Sequence, residues 1–305
     1  MSARAAVGGR LAFGTGSLAL LVTLWLAWGL SYPVIGFAMT AVDPLSLRVA
    51  VMASAGVVLL LCAALTGGRL AVPRALWRDV VIAAIGNMTL CQMGITLGVY
   101  WVGGGRSSVL MYTMPLWAAL FGRLLLGEQI TRWRGVALAL GAAAVLVLFA
   151  QGMPDARNAP FGVAANLVAA MGFAFGTVWT KRTIWPLDLG ALVGWQLVVG
   201  TVPLAAAWLV VRPPLVLPDA AHWLAFAYMV LIGNVMAYLV WFRLVEGLPT
   251  VMVGIGSLVV PCLGVLSSAL LMGEAVRPAD LLALLLVCAA LGLVLFMPRR
   301  AATSS

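Results

Sequence analysis

Acid–base side chains are scarce: one histidine (His222), one lysine (Lys181) and nine acidic residues in a chain of 305. General acid–base catalysis therefore has few candidates, and HExxH, a buried Asp pair and a Cys/His cluster are all absent. The four cysteines (Cys62, Cys91, Cys262, Cys288) include no CxxC pair and all fall in apolar stretches. They are expected to be small buried packing residues, not disulfides or metal ligands. No metal, no cofactor and no enzymatic activity are expected. Charge is scarce too, at 9% of residues, where a soluble domain has about 25%. The 18 basic residues against 9 acidic ones would suggest nucleic acid in a soluble protein. Here they fall between apolar runs, as membrane topology requires, so no nucleic-acid partner is expected.

What is abundant is apolar surface: 64% of residues are hydrophobic and the mean hydropathy is +1.12. A single soluble core cannot hide that much, because a folded chain still needs a polar exterior. Apolar runs of bilayer-crossing length, about 17–25 residues, can be marked off at 15–39, 45–66, 79–100, 107–126, 133–150, 161–180, 189–211, 221–242, 250–271 and 280–297. The expected fold is an all-α integral membrane protein of ten transmembrane helices, with the lipid bilayer as its partner. The first run is longer than a signal h-region of about 7–15 residues and lacks a convincing cleavage site, so it is expected to be a retained helix.

With the N-terminus in the cytoplasm, thirteen basic residues fall inside: Arg4, Arg10, Arg69, Arg74, Arg78, Arg123, Arg132, Arg134, Lys181, Arg182, Arg243, Arg299 and Arg300. Five fall outside: Arg48, Arg106, Arg157, Arg212 and Arg277. This asymmetry places both termini in the cytoplasm.

The two halves repeat one another. Ile85-Gly86-Asn87 recurs as Ile232-Gly233-Asn234 at an offset of 147. Pro115 followed by Gly127-Glu128 recurs as Pro261 followed by Gly273-Glu274 at an offset of 146, with 13 positions from proline to glutamate in both. A unit of five helices makes consecutive copies cross the membrane in opposite senses, the inverted-repeat plan of many secondary transporters. The expected organisation is a first repeat at 1–150, an extracytoplasmic linker at 151–159 containing Gln151-Gly152-Met153-Pro154-Asp155-Ala156-Arg157-Asn158, and a second, inverted repeat at 160–305 with a short cytoplasmic tail.

The stretch Pro115-Leu116-Trp117 through Leu126-Gly127-Glu128, its copy from Pro261 to Leu271-Met272-Gly273-Glu274, and the Arg48 that opens the second helix resemble the EamA-type, ten-helix branch of the drug/metabolite transporter superfamily. The resemblance covers nearly the whole chain. Within the superfamily the chain is most similar to the bacterial amino-acid exporters, those of aromatic amino acids above all, with Tyr112 three positions before Pro115. It implies export of amino acids across a bacterial inner membrane. The second repeat has no arginine at the counterpart of Arg48, only Gln196 nearby.

Candidate site residues come from the 3.6-residue period. Asn87, Cys91, Gly94, Gly98 and Trp101 share one face of the third helix, and Asn234, Tyr238 and Trp241 share the corresponding face of the eighth. A buried amide must find a partner helix or a wet cavity. Asn87 and Asn234 therefore either contact substrate across the pseudo-two-fold axis or join helices by hydrogen bonds. The first helix presents Trp25, Trp28 and Tyr32, and the sixth presents Asn166, Phe173 and Thr177, with Phe175 and Trp179 on an adjacent face. Aromatics with a polar edge suit a pocket for an amphipathic solute. The expected cavity comprises Trp28, Tyr32, Asn87, Cys91, Trp101, Tyr112, Asn166, Phe173, Phe175, Asn234 and Tyr238. Trp77, Trp133, Trp185, Trp208 and Trp223 are assigned instead to the interfacial belt.

Pro115 and Pro261 are expected inside the fourth and ninth helices, where each removes a helical N–H and makes a bend for gating or a static kink. Gly103-Gly104-Gly105 is expected to be the loop before the fourth helix. Glu128 and Glu274 end their helices and are expected to stabilise the start of the following helix or pair with arginine, the alternative being proton coupling. No acidic residue lies deep in a span, which permits facilitated diffusion. The function expected is a facilitative carrier of amino acids and related small metabolites, working as a monomer by alternating access. A proton-driven exporter of other metabolites or drugs is the alternative and a channel the second, although no ring-forming filter motif is present.

Overall fold

The computed structural model describes residues 15–127, 132–150, 159–214, 216–247 and 259–296. Among these no strand occurs, and the helices fall into ten rods. They are α1 (Thr15–Gly29, then Ser31–Ala38), α2 (Pro44–Leu65), α3 (Trp77–Ala84, Ile85–Leu90, Cys91–Val102), α4 (Gly104–Met111, then Met114–Leu126) and α5 (Arg132–Ala150) in the first half. The second half has α6 (Ala159–Arg182), α7 (Leu189–Val211), α8 (Ala220–Tyr228, Met229–Met236, Ala237–Gly247), α9 (Val259–Met272) and α10 (Pro278–Phe296). Seven of the rods are long and apolar enough to cross a membrane, and shorter apolar helices in α5, α9 and α10 complete the ten. Their outer faces fit a lipid solvent: Leu61, Leu65, Leu124, Val210, Leu270 and Leu285 are each more than half exposed, a pattern that water would not tolerate over so wide a surface.

Packing obeys a pseudo-two-fold scheme. The counterparts α2 and α7 pack on each other, as do α4 and α9, and α5 and α10. The remaining main contacts come in exchanged pairs: α3 on α6 matches α8 on α1, α4 on α6 matches α9 on α1, and α2 on α8 matches α7 on α3. An inverted repeat generates this pairing, since each contact recurs with the halves swapped. Where α3 meets α6 only glycine fits, because a Cβ on Gly86 would lie 2.7 Å from the Gly172 carbonyl oxygen. The small-residue face thus brings the two backbones together.

Local chemistry shapes the interior. In α1, Pro33 has no N–H to offer the Gly29 carbonyl, and the Ser267 hydroxyl of α9 donates to that oxygen at 3.0 Å instead. Wide π turns interrupt α3 at Ile85–Leu90 and α8 at Met229–Met236. In α8 the Asn234 amide donates to the Met229 carbonyl, five residues back, at 2.7 Å.

Several expectations change. Pro115 does not sit mid-helix. It occupies the first turn of the second segment of α4, after a break at Tyr112-Thr113, where a missing N–H costs nothing. Pro261 lies in the first turn of the described part of α9, and the stretch 248–258 before it is outside the described residues. The glycine run is not a loop: only Gly103, at φ 86°, breaks the chain, and Gly104 and Gly105 already belong to α4. Arg48 and Arg106 are not loop charges, being 2% and 8% exposed. A buried acid also exists, since Asp280 is buried at the start of α10. Cys62 and Cys262 face outward instead of packing inside, whereas Cys91 is buried. Glu128 and most of the expected linker, 151–158, lie outside the described residues.

Candidate functional site

A cavity of about 80 Å³ lies between the halves, walled by α1, α2, α3, α4, α6 and α8. Four of its rings form a cluster. Trp28 has its centroid 6.1 Å from Phe173, 5.9 Å from Tyr238 and 5.4 Å from Trp241, and Phe173 lies 5.5 Å from Trp241. The break in α4 supplies Met111, Tyr112 and Met114, the start of the π turn in α8 supplies Met229, and α1 adds Ser31, Tyr32 and Ile35. Methionine is flexible and polarisable, so three of them make an adaptable wall.

The polar side of the cavity is one connected chain of hydrogen bonds. Arg48 Nε donates to Thr96 Oγ1, and its Nη1 donates to Gln92 Oε1 at 2.8 Å. Gln92 Nε2 then donates to Asn234 Oδ1 at 2.7 Å and to the Tyr238 hydroxyl at 3.0 Å. The tyrosine hydroxyl donates in turn to the Asn87 carbonyl at 3.4 Å. Arg48, Gln92, Asn234 and Tyr238 all line the cavity, and among the described residues no aspartate or glutamate does. Among the described residues the site is an apolar box with one fixed positive charge.

Of the residues expected from the sequence, Trp28, Tyr32, Cys91, Tyr112, Phe173, Asn234 and Tyr238 line this cavity. Asn87 is fully buried away from it, donating to Gln196 Oε1 at 2.9 Å and accepting from the Thr177 hydroxyl at 3.4 Å. Asn166 donates to the Ser107 hydroxyl at 3.1 Å and joins α6 to α4. Phe175 packs against Phe121 and Trp179. Trp101 borders a second, more polar cavity of about 280 Å³. Gln92 escaped the sequence reading, although an amide in an apolar run four residues before Thr96 carries the same signal that picked out Asn87.

The second cavity sits where α4 begins, among Gly103, Arg106, Glu274, Arg277 and Asp280. Glu274 accepts from the backbone N–H of Gly104 at 2.7 Å and of Gly105 at 3.0 Å. A carboxylate at a helix N-terminus is favourable. It serves α4 of the other half, not the helix that comes after it in sequence. Beside it, Arg106 Nε pairs with Asp280 Oδ1 at 2.8 Å, and Asp280 Oδ2 accepts from the Arg277 N–H at 2.9 Å.

The chain belongs to the EamA-like transporter family, whose model matches residues 15–150 and again 160–296. It is thus a membrane transporter of the drug/metabolite type, from a family of transporters and not of enzymes. Similar proteins include YedA, an uncharacterized inner membrane transporter of Escherichia coli K12, 27% identical over 278 residues that cover 90% of this chain and 89% of the relative. PecM of Dickeya dadantii is 26% identical, covering 88% of each chain. A probable amino-acid metabolite efflux pump of Salmonella typhimurium is 26% identical over 92% of this chain and 94% of its own. A solved crystal structure superposes with a TM-score of 0.66 at 19% identity, over 92% of this chain and 96% of that one, and shows the same fold.

Proposed function

We propose that the protein exports amino acids, aromatic and other neutral ones, and related small metabolites by facilitative alternating access. In this reading its two halves, 1–150 and 160–305, rock about the cavity and the linker at 151–159 joins them outside. The observation that carries this reading is a ring-lined cavity between the halves that, among the described residues, holds one cation, neutral hydrogen-bonding groups and no carboxylate. Such a lining suits a small amphipathic solute that is not itself a cation. The naming of a Salmonella relative as an amino-acid metabolite efflux pump points the same way. With Arg48 and Arg106 buried, the basic residues expected outside reduce to Arg157, Arg212 and Arg277, which favours both termini in the cytoplasm of a bacterial inner membrane.

Size matters to the mechanism. At about 80 Å³ the cavity has roughly half the volume of one that holds benzene, about 150 Å³. An aromatic amino acid then fits only when the helices part, which alternating access supplies. The carboxylates Glu274 and Asp280 at the second cavity give the proton-exchange alternative its own footing. The test is flux of labelled Trp, Phe, Tyr, Met and Thr in liposomes holding only this protein, with and without imposed proton and sodium gradients. Saturable flux without a gradient is expected. Flux that appears only with a proton gradient replaces facilitation by exchange, and no flux for the whole panel removes the amino-acid reading.

A further inference from the structure

Arg48 is 2% exposed and lines the central cavity. Its Nε and Nη1 are held by Thr96 and Gln92, but its Nη2 is buried with no hydrogen-bond partner among the described residues. Among the described residues no carboxylate pairs with it, and none lines the cavity. A buried guanidinium in that state is costly, because its charge is desolvated and not offset by a counter-charge. Two acceptors fix the orientation of the planar fork while one nitrogen stays unused. That arrangement is pre-organised for an anion brought from outside, and carboxylate geometry matches a guanidinium best.

We propose that Arg48 is the substrate-recognition residue for a carboxylate: the transported solute docks its free carboxylate on Nη2, and its apolar part lies against Trp28, Phe173 and Tyr238. This rests on the reading of the central cavity as the transport site and deepens it. The substrate class narrows to organic carboxylates, amino acids included. Amides and amines of the same carbon skeleton are excluded, because they leave the arginine uncompensated.

The test uses four ligands on one skeleton: L-methionine, its amide, the decarboxylated amine and the des-amino carboxylate. Calorimetry on the full chain in lipid nanodiscs measures their binding. L-Methionine and the des-amino carboxylate are expected to bind about ten- to a hundred-fold more tightly than the amide and the amine, the range for a charge-assisted hydrogen bond. Arg48→Gln should abolish the preference. Because that variant alone could be faulted for misfolding, Gln92→Glu keeps the arginine and places a carboxylate where the Gln92 oxygen accepts from Nη1. It should erase the preference and favour the amine. Retention of the carboxylate preference in Gln92→Glu overturns the proposal. So does chloride reproducing the carboxylate's signal at equal ionic strength, which makes the site one for an inorganic anion. Amide and amine carried and bound as well as L-methionine overturn the carboxylate proposal and leave the amino-acid reading standing. Binding of the des-amino carboxylate without any flux of L-methionine does the reverse.

Discussion

Two arginines that look alike in the sequence, each at the start of an apolar run, end up in opposite situations. Arg106 and Arg48 are both buried. Arg106 meets Asp280 of the other half, and its ion pair ties α4 to α10 at one end of the molecule. Among the described residues Arg48 meets only neutral acceptors, and it faces a cavity. A charge paired across an interface holds parts together, whereas a charge oriented but unpaired is held ready for a ligand. The pseudo-symmetry sharpens the contrast. In the second half neutral Gln196 takes the place near the counterpart of Arg48; its Oε1 accepts from Asn87, and it carries no charge to be offset. One polar cluster is neutral and lies away from the cavity, and the other carries a charge and lines it.

The largest expected effect breaks the paired arginine. Asp280→Ala strands Arg106 without its counter-charge and should lower stability by about 3–5 kcal/mol, read as thermal unfolding in detergent. Arg48→Gln should cost within about 1 kcal/mol, because the amide still donates to a neighbouring acceptor while an uncompensated charge disappears. Equal losses for the two variants would erase the distinction.

A smaller effect separates the two asparagines of the repeat. Asn87→Ala leaves Gln196 Oε1 buried without its donor and should cost about 1–3 kcal/mol with little change in KM. Asn234→Ala removes an acceptor from Gln92 at the cavity wall and should raise KM several-fold with a smaller loss of stability. The reverse pattern would assign the substrate to the wrong cluster.

How far the sequence reveals these things depends on the ruler used. Ten apolar runs and the Pro–Gly–Glu spacing mark the helices and the repeat, because bilayer thickness and helix rise leave little freedom. Trp28, Tyr32 and Phe173 are legible as cavity residues because aromatic rings beside polar groups suit a pocket for an amphipathic solute. The period of 3.6 fails at the π turns, each of which accommodates an extra residue and rotates the rest of its helix. Asn87 is the third residue of its wide turn and Asn234 the sixth of its own. One face thus divides, sending Cys91 to the central cavity, Asn87 to Gln196 and Trp101 to the second cavity. Arg48 and Arg106 mislead for another reason. Charges at the ends of apolar runs read as loop residues, and only the partner helix, distant in sequence, shows that they are buried.

The smallest effect concerns an acid in water, a foil to buried Asp280. The backbone N–H of His222, and then its ring, hold the carboxyl of Asp219 below its ordinary value of 3.8. This group is fully exposed, so screening keeps its contribution slight. A lowered folded pKa stabilises at pH above the unfolded value and loses that contribution as pH falls through the folded one. A slight decline in unfolding temperature below about pH 4 should therefore flatten in Asp219→Asn. An unchanged acid limb in that variant would place the decline elsewhere.

The central claim, that the cavity around Arg48 is the transport site, is tested most directly by saturable flux of labelled L-methionine into liposomes with Arg48→Gln protein whose unfolding temperature matches the unaltered chain. Loss of saturable flux from a folded protein is the predicted result. Unchanged KM and rate in that folded variant would contradict it.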